Sequence, residues 1–223
     1  MSPAIGPRRS AFSLSTLLLA LLALVGASTT VAAQEPSAPQ SVGAPQLRGA
    51  IDRLGSLDYE TRMGASRLVR RTDAAQAVPA LLDAVAQHAD GYVRYRALVL
   101  LTGFADPRTR DAMREALTSP NDRLRTVAYS FFEHSPDPAL VPVLLSALDR
   151  EQAEFVRPAL IRALAAHGDD ARVQAVLVRE VGRGEDFFRS AVIEALGDYR
   201  ARYAYDAVTG IARQDGPLLD DAA

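Results

Sequence analysis

The sequence contains no cysteine and no lysine. The absence of cysteine excludes a disulfide framework, a zinc site built on thiolates and a lipid anchor on a cysteine. All 25 basic residues are arginines, a bias that a GC-rich genome produces. The formal net charge is −2. A mildly acidic chain lacks the positive field that non-specific nucleic-acid binding needs, so nucleic acid is not expected as a partner.

Residues 1–33 have the three-part pattern of a secretory signal. Arg8-Arg9 are their only charges, Leu14–Val25 is almost wholly apolar, and Val31-Ala32-Ala33 supplies small residues for a signal peptidase. This pattern predicts export to the periplasm or the cell exterior after cleavage behind Ala33. An uncleaved signal that anchors the protein in the inner membrane is the alternative. The arginine pair leaves both general secretion and twin-arginine export open.

Residues 34–46 contain three prolines and no periodic apolar pattern. Such a composition is typical of a flexible linker. The sequence therefore predicts three segments, namely a signal peptide at 1–33, a linker at 34–46 and a folded repeat domain at 47–223.

One phrase occurs twice in the second half of the chain. EFVRPALIRAL begins at Glu154, and DFFRSAVIEAL begins 32 residues later at Asp186. With the third residue of the phrase taken as position zero, equivalents recur every 31 or 32 residues, at Thr61, Val93, Leu124, Val156, Phe188 and Leu219. An internal period of this length indicates a solenoid of stacked repeats.

Each repeat divides into two amphipathic helices, A and then B, which are joined by short polar turns. The A segments place apolar residues at helical spacing, as in VPALLDAV, and Pro79 and Pro142 suit a first turn. Asp90, Asn121 and Glu185 each stand three residues before position zero, where a B helix should begin. The prediction is an all-α, right-handed α-solenoid of about six antiparallel helix pairs, with no run of strand alternation.

The repeat resembles the HEAT-like family, in the short bacterial form found in phycobilisome-lyase-type proteins. The likeness is carried by V-R-x-x-A from Val93 to Ala97, by its variants at 124, 156 and 188, and by VPxLL in helix A. It covers about 47–223 and implies an armadillo-like superhelix with B helices on the concave face. It implies a protein-binding scaffold or adaptor, although a minority of relatives are enzymes, and it assigns no catalytic residue. Thr61 and Thr209, in apolar slots, depart from the pattern.

An arginine follows position zero in five of the six repeats, and Asp220 replaces it in the last. The series comprises Arg62, Arg94, Arg125, Arg157 and Arg189. Its helical angle places it inside the packed face, so we expect buried guanidinium groups that bond to helix-end carbonyls and acids between repeats. The alternative is an arginine ladder that grips an anionic partner.

The residue patterns point to no catalytic, cofactor or metal site. His88, His134 and His167 differ in their position within the repeat, and no two have metal-ligand spacing. The acid pairs Asp169-Asp170 and Asp220-Asp221 have no partner acid at helical spacing. We therefore expect a protein that is not an enzyme and has no cofactor.

The open side of helix B, at offsets 2, 6 and 9 from position zero, is the candidate binding surface. Its residues are mostly small, with few charges. Tyrosine and arginine are the usual anchors of protein interfaces. The candidate partner-binding residues are Tyr95, Glu133, Arg162 and Glu194, and the alternative is a merely solvated face.

These observations favour an exported, non-enzymatic scaffold that binds an unidentified protein on its concave B-helix surface. A phycobilisome-lyase-like enzyme or chromophore-binding protein is the alternative, and nucleic-acid binding is a weaker one. The sixth B helix, expected near Pro217, stops at Ala223 and lacks the apolar offsets 7 and 8. Either the chain is a fragment of a longer repeat protein, or its open end docks on a partner or on a second copy.

Overall fold

The computed structural model describes residues 39–213, which form a stack of helical hairpins. The helices are α1 Ala44–Asp52, α2 Tyr59–Arg71, α3 Ala74–Gln87, α4 Gly91–Leu101, α5 Arg108–Ala116, α6 Asp122–His134, α7 Val141–Arg150, α8 Arg157–Ala165, α9 Ala171–Glu180, α10 Asp186–Asp198 and α11 Tyr205–Ala212. Odd-numbered helices are A helices and even-numbered helices are B helices. No β-strand occurs among the described residues. The prediction of an all-α solenoid of helix pairs is confirmed.

Short polar side chains start many of these helices. In five cases an Asp or Asn oxygen accepts a hydrogen bond from a first-turn N–H, at Asp58, Asp73, Asp90, Asn121 and Asp170. These bonds satisfy donors that have no partner within the helix. The helix starts predicted at Asp90 and Asn121 are confirmed. Glu185 occupies the same position before α10 but makes no such side-chain bond.

Pro79 lies in the second turn of α3, so its placement in a first turn was wrong. The helix begins five residues earlier, at Ala74, because Oδ1 of Asp73 accepts from the Ala75 N–H at 3.3 Å. Pro79 is exposed, so its ring meets solvent rather than the core. Pro142 does lie in the first turn of its helix, α7.

The B helices carry most of the packing between repeats. Each described B helix contacts the next one, whereas among the described A helices only α1 and α3 approach each other to a similar degree. Small buried residues such as Ala97, Ala128 and Ala163 line the B helices and permit this close approach. The B helices therefore lie closer to one another than most of the A helices do.

A single continuous core runs through the described stack, from Val42 to Ile211. Its largest fully buried side chains include Tyr129 and Phe132 on α6 and Leu160 and Leu164 on α8. Each repeat therefore buries its apolar faces against its neighbours, which explains why the same phrase recurs along the chain.

The end of the predicted linker is part of the fold. The Gln40 N–H donates to the Arg71 carbonyl at 2.8 Å, and the Asp73 N–H donates to the Gln40 carbonyl at 3.0 Å. Val42 is buried, and the Gln76 side chain bonds to both its N–H and its carbonyl. The boundary predicted at residue 47 was therefore wrong, because this segment pairs with the α2–α3 turn and α1 begins at Ala44. Residues 34–38 lie outside the described part.

Two predictions concern residues outside 39–213. One is the signal peptide at 1–33. The other is the incomplete sixth B helix from Pro217, whose A helix α11 is described. Both stay predictions.

Candidate functional site

Arg125 joins two consecutive repeats through a two-pronged ion pair. Its Nε lies 2.7 Å from Oε2 of Glu151, and its Nη2 lies 2.8 Å from Oε1 of the same residue. Its Nη1 donates to the Ser119 carbonyl, at the turn before α6, at 2.8 Å. Both side chains are largely buried, with exposed fractions of 17% and 5%. The Glu151 side chain thus lies in the groove between the C-terminal ends of α5 and α7.

Two other arginines of the series donate hydrogen bonds to backbone carbonyls, and a third makes an ion pair. Arg62 donates to the Ser56 carbonyl at 2.7 Å, and Arg189 donates to the Val181 carbonyl at 3.1 Å. Arg157 Nη2 lies 3.7 Å from Oε2 of Glu180, and its guanidinium lies over the Phe188 ring at 3.9 Å. These contacts support the predicted structural role of the series.

Arg157 is less buried than the sequence predicted. Its side chain is 26% exposed, and its Nε is buried without a hydrogen-bond partner. Glu180 is 1% exposed, and its Oε1 is engaged by Arg179 at 2.7 Å and Arg183 at 3.5 Å. The Glu180 carboxylate therefore pairs mainly with Arg179 and Arg183, and Arg157 approaches it only at 3.7 Å.

Arg94 differs from the rest of the series. Its guanidinium makes no ion pair or hydrogen bond within residues 39–213, and its Nε is buried without a partner. The reason lies in the next repeat. Glu151 stands six residues before Arg157, and the corresponding position before Arg125 is Ser119. A hydroxymethyl group therefore occupies the place that a carboxylate occupies one repeat further on.

Three neighbouring grooves contain arginines of the series. Each lies between successive A helices, and each is lined by one arginine of the series. The grooves at Arg125 and Arg157 also contain Glu151 and measure about 200 and 150 Å³. The groove at Arg94, between α3 and α5, measures about 610 Å³. It is therefore the roomiest of the three and contains the unpaired arginine.

A polar network joins three successive B helices of the stack. Arg162 on α8 donates from Nε to Oε1 of Glu133 on α6 and from Nη1 to Oδ2 of Asp198 on α10, both at 2.8 Å. The Tyr199 hydroxyl donates to Glu133 Oε1 at 3.3 Å. The pairs with Asp198 and Glu133 raise the pKa of Arg162, and burial together with Glu133 raises the pKa of Tyr199.

The four candidate partner-binding residues divide into two kinds. Glu133 and Arg162 come together, but Glu133 is buried and Arg162 is already paired with two carboxylates. They were predicted as anchors on an open face, and that is wrong for Glu133 because Arg162 and Tyr199 cover it. Glu194 is exposed, and Tyr95 is half-buried with its ring 5.6 Å from that of Tyr92. Asp198 and Tyr199 complete the network, and their positions in the repeat do not indicate this role.

The histidines are separate, as expected. His88 Nε2 lies 3.3 Å from Asp52 Oδ1, and His134 Nδ1 lies 2.8 Å from the Ser130 carbonyl. His167 is buried with its Nε2 unpartnered, and this burial lowers the pKa of the imidazole. Among residues 39–213, no three His, Asp or Glu side chains converge on a point where a metal could bind. Nor does this part contain a helix with the length and apolarity that a membrane crossing demands.

The stack of helical hairpins, with surfaces built from repeated positions, defines an α-solenoid of the type that mediates protein interactions. The family model for HEAT repeats matches residues 47–131 and 78–165. Because these matches span more than half of the chain, the protein belongs to the HEAT repeat family. The match does not extend to the phycobilisome-lyase-like subtype, which stays a prediction. The search of curated proteins found no significant match.

Proposed function

We propose that this protein is an exported, non-enzymatic scaffold that binds a segment of a partner protein along its B-helix surface. HEAT repeats typically mediate protein interactions, and this supports the general role. Export is proposed from the signal-like pattern of residues 1–33. The concave surface of a solenoid suits an extended or helical segment, because it offers equivalent positions at regular intervals.

The observation that carries the proposal is the network of Glu133, Arg162, Asp198 and Tyr199. It fixes polar side chains from three successive repeats on one face. A surface whose side chains are already ordered loses less conformational entropy when a partner binds. Asp198 remains 60% exposed and can accept hydrogen bonds from a partner while it holds Arg162.

Aromatic and basic side chains extend this surface toward the N-terminal repeats. The Tyr92 and Tyr95 rings are tilted by 37° to each other, and the Arg123 guanidinium lies 5.3 Å from the centre of the Tyr92 ring. Tyrosine and arginine supply large contact areas and dominate the binding energy of many interfaces. We therefore place the partner across α4, α6, α8 and α10.

Photocrosslinking in the native host tests this placement. A benzophenone amino acid replaces Tyr95 on α4 or Glu194 on α10, and the matched control carries it at Val143, an exposed residue of the A helix α7. We expect the same polypeptide to be captured from positions 95 and 194 and not from 143. The captured protein is then purified and its affinity measured directly. Capture from all three positions alike, or from 143 alone, would contradict binding along the B helices.

A further inference from the structure

The groove at Arg94 is a second candidate site, on the A-helix side of the stack and apart from the B-helix surface. We propose that it binds a glutamate or aspartate side chain of a partner polypeptide. That carboxylate takes at Arg94 the place that Glu151 takes at Arg125. The inference rests on the proposal that the protein binds polypeptides, but it involves different residues.

The series of arginines supplies the first argument. Arg62, Arg125 and Arg189 each donate hydrogen bonds to oxygen atoms, and Arg157 makes an ion pair with Glu180 at 3.7 Å. Arg94 makes neither kind of contact within residues 39–213. Its Nε is buried without a partner, and its terminal nitrogens, which are not buried, have no hydrogen bond or ion pair within residues 39–213. A half-buried guanidinium with an unpaired donor favours an external acceptor, because its desolvation has already occurred on folding.

The shape of the groove supplies the second argument. At about 610 Å³ it has room for a side chain together with the backbone on either side of it. Its walls include Leu82 and Val85 from α3, Ala112 from α5 and Leu124 from α6. These apolar walls suit a segment in which small or apolar residues flank the acidic one.

The charges around the groove favour a carboxylate over a phosphate group. Arg108 is held by Asp106 at 2.8 Å, and Asp111 is held by Arg114 at 2.8 Å. Glu115 is exposed at the rim. Arg94 is therefore the uncommitted cation among the described groove residues. One negative charge matches it, whereas the second charge of a phosphate would find no free cation among the described groove residues and would meet the exposed Glu115 at the rim.

NMR titration of the full chain with two pentapeptides provides the test. The first is N-acetylated and C-amidated Leu-Ala-Glu-Ala-Leu, and the second carries Gln in place of Glu. The reporter is the Arg94 Nε–H signal, assigned from its loss in Arg94→Lys. We expect the Glu peptide to shift this signal and to bind on the order of tenfold more tightly than the Gln peptide, as for a hydrogen bond to a charged group.

Two variants remove the same charge from the same groove. Arg94→Gln should abolish the preference for the Glu peptide, and Arg108→Gln should retain it because Arg108 is already paired. Neither change should lower the midpoint of thermal unfolding much. Equal affinity of both peptides, equal losses in both variants, or no response of Arg94 to either peptide would each overturn the proposal.

An internal carboxylate gives an independent check. Ser119→Glu restores the residue type found at position 151, and Ser119→Gln is its uncharged control. We expect Ser119→Glu to raise the unfolding midpoint relative to Ser119→Gln and to block binding of the Glu peptide. Both effects should disappear when Arg94→Gln is added.

A pair between Glu115 and Arg94 in solution would count against an open site. In that case Glu115→Gln will improve peptide binding, and Arg94→Gln will lower the stability of the protein. The crosslinking positions 95 and 194 do not line this groove, so a failure of the peptide test can be distinguished from a failure of the crosslinking test.

Discussion

Nε of Arg162 on α8 lies 2.8 Å from Oε1 of Glu133 on α6, one repeat away. The carboxylate is 8% exposed and the guanidinium 37%. A half-exposed arginine therefore compensates a buried acid, and this pair links two successive B helices of the stack.

We expect Arg162→Ala to destabilise the protein by about 1–3 kcal/mol, because it leaves the buried Glu133 carboxylate with the Tyr199 hydroxyl alone. Arg157→Ala should cost about 0.5–1 kcal/mol, since Glu180 keeps Arg179 and Arg183 and the main loss is the contact with the Phe188 ring. Urea unfolding of the two variants compares the costs. The sequence places Arg157 in the packed face and Arg162 on the open side of helix B, and it therefore predicts the opposite order.

The control for this prediction is the pair of variants Arg162→Ala and Arg162→Ala/Glu133→Gln. Neutralising the buried acid should recover part of the lost stability. A larger loss in Arg157→Ala than in Arg162→Ala would restore the sequence-based expectation and refute the compensating role of Arg162.

The arginines of the series should differ in their contribution to stability. Arg125→Gln breaks the two-pronged pair with Glu151, a residue 5% exposed, and should cost about 2–4 kcal/mol. Arg94→Gln loses no described partner and should cost less than about 0.5 kcal/mol. Chemical denaturation of both variants measures the difference. Equal costs would mean that Arg94 has an internal acceptor.

His167 should make stability depend on pH near neutrality. Burial lowers the pKa of its imidazole below the ordinary value of 6.5, so the unfolded chain takes up more protons than the folded chain as the pH falls. Stability should therefore decrease between about pH 7.5 and pH 5.5. Asp170, whose pKa the Arg172 side chain lowers to about 2, keeps its contribution throughout this range. His167→Gln should flatten the profile, as measured by urea unfolding at both pH values.

A matched control for the histidine effect is His134→Gln, which alters an exposed ring. This variant should keep the pH dependence of the parent protein. If the His134→Gln profile flattens and the His167→Gln profile does not, the assignment to the buried ring is wrong.

The segment before α1 should be protected from hydrogen exchange. The Val42 N–H donates to Gln76 Oε1 at 3.1 Å, and the Gln76 amide returns a bond to the Val42 carbonyl at 3.2 Å. Gln76→Ala should remove this protection and cost about 1 kcal/mol. Gln46→Ala, at an exposed position of α1, is the control and should change neither quantity. An unprotected Val42 in the parent protein would favour the linker prediction.

The mature protein should begin at Gln34. This prediction rests on the apolar run at 14–25 and on the small residues Val31-Ala32-Ala33. Intact-mass measurement of protein from the periplasm or culture medium of the native host checks it. A mass that includes residues 1–33, recovered from the membrane fraction, would show an uncleaved anchor instead.

Much of the fold follows from the sequence because its signals are local. A period of 31 or 32 residues, apolar spacing within each helix and cap residues such as Asp90 and Asn121 suffice to place the helices. The position of Pro79 was misjudged because the Asp73 cap adds a turn that the apolar pattern does not reveal. Val42 was assigned to the linker although it is buried, because one buried side chain after a proline-rich stretch leaves no periodic signal.

The sequence by itself determined the repeat, the helix pairs and the register of the arginines, since each depends on residues within one hairpin. Only the tertiary structure decided which acid meets which arginine. Arg125 reaches Glu151 over 26 residues, and Arg162 reaches Asp198 over 36, so neither pair follows the repeat period. The axial offset between stacked helices selects these partners. The same offset places Arg94 in an open groove with Ser119 and Thr118.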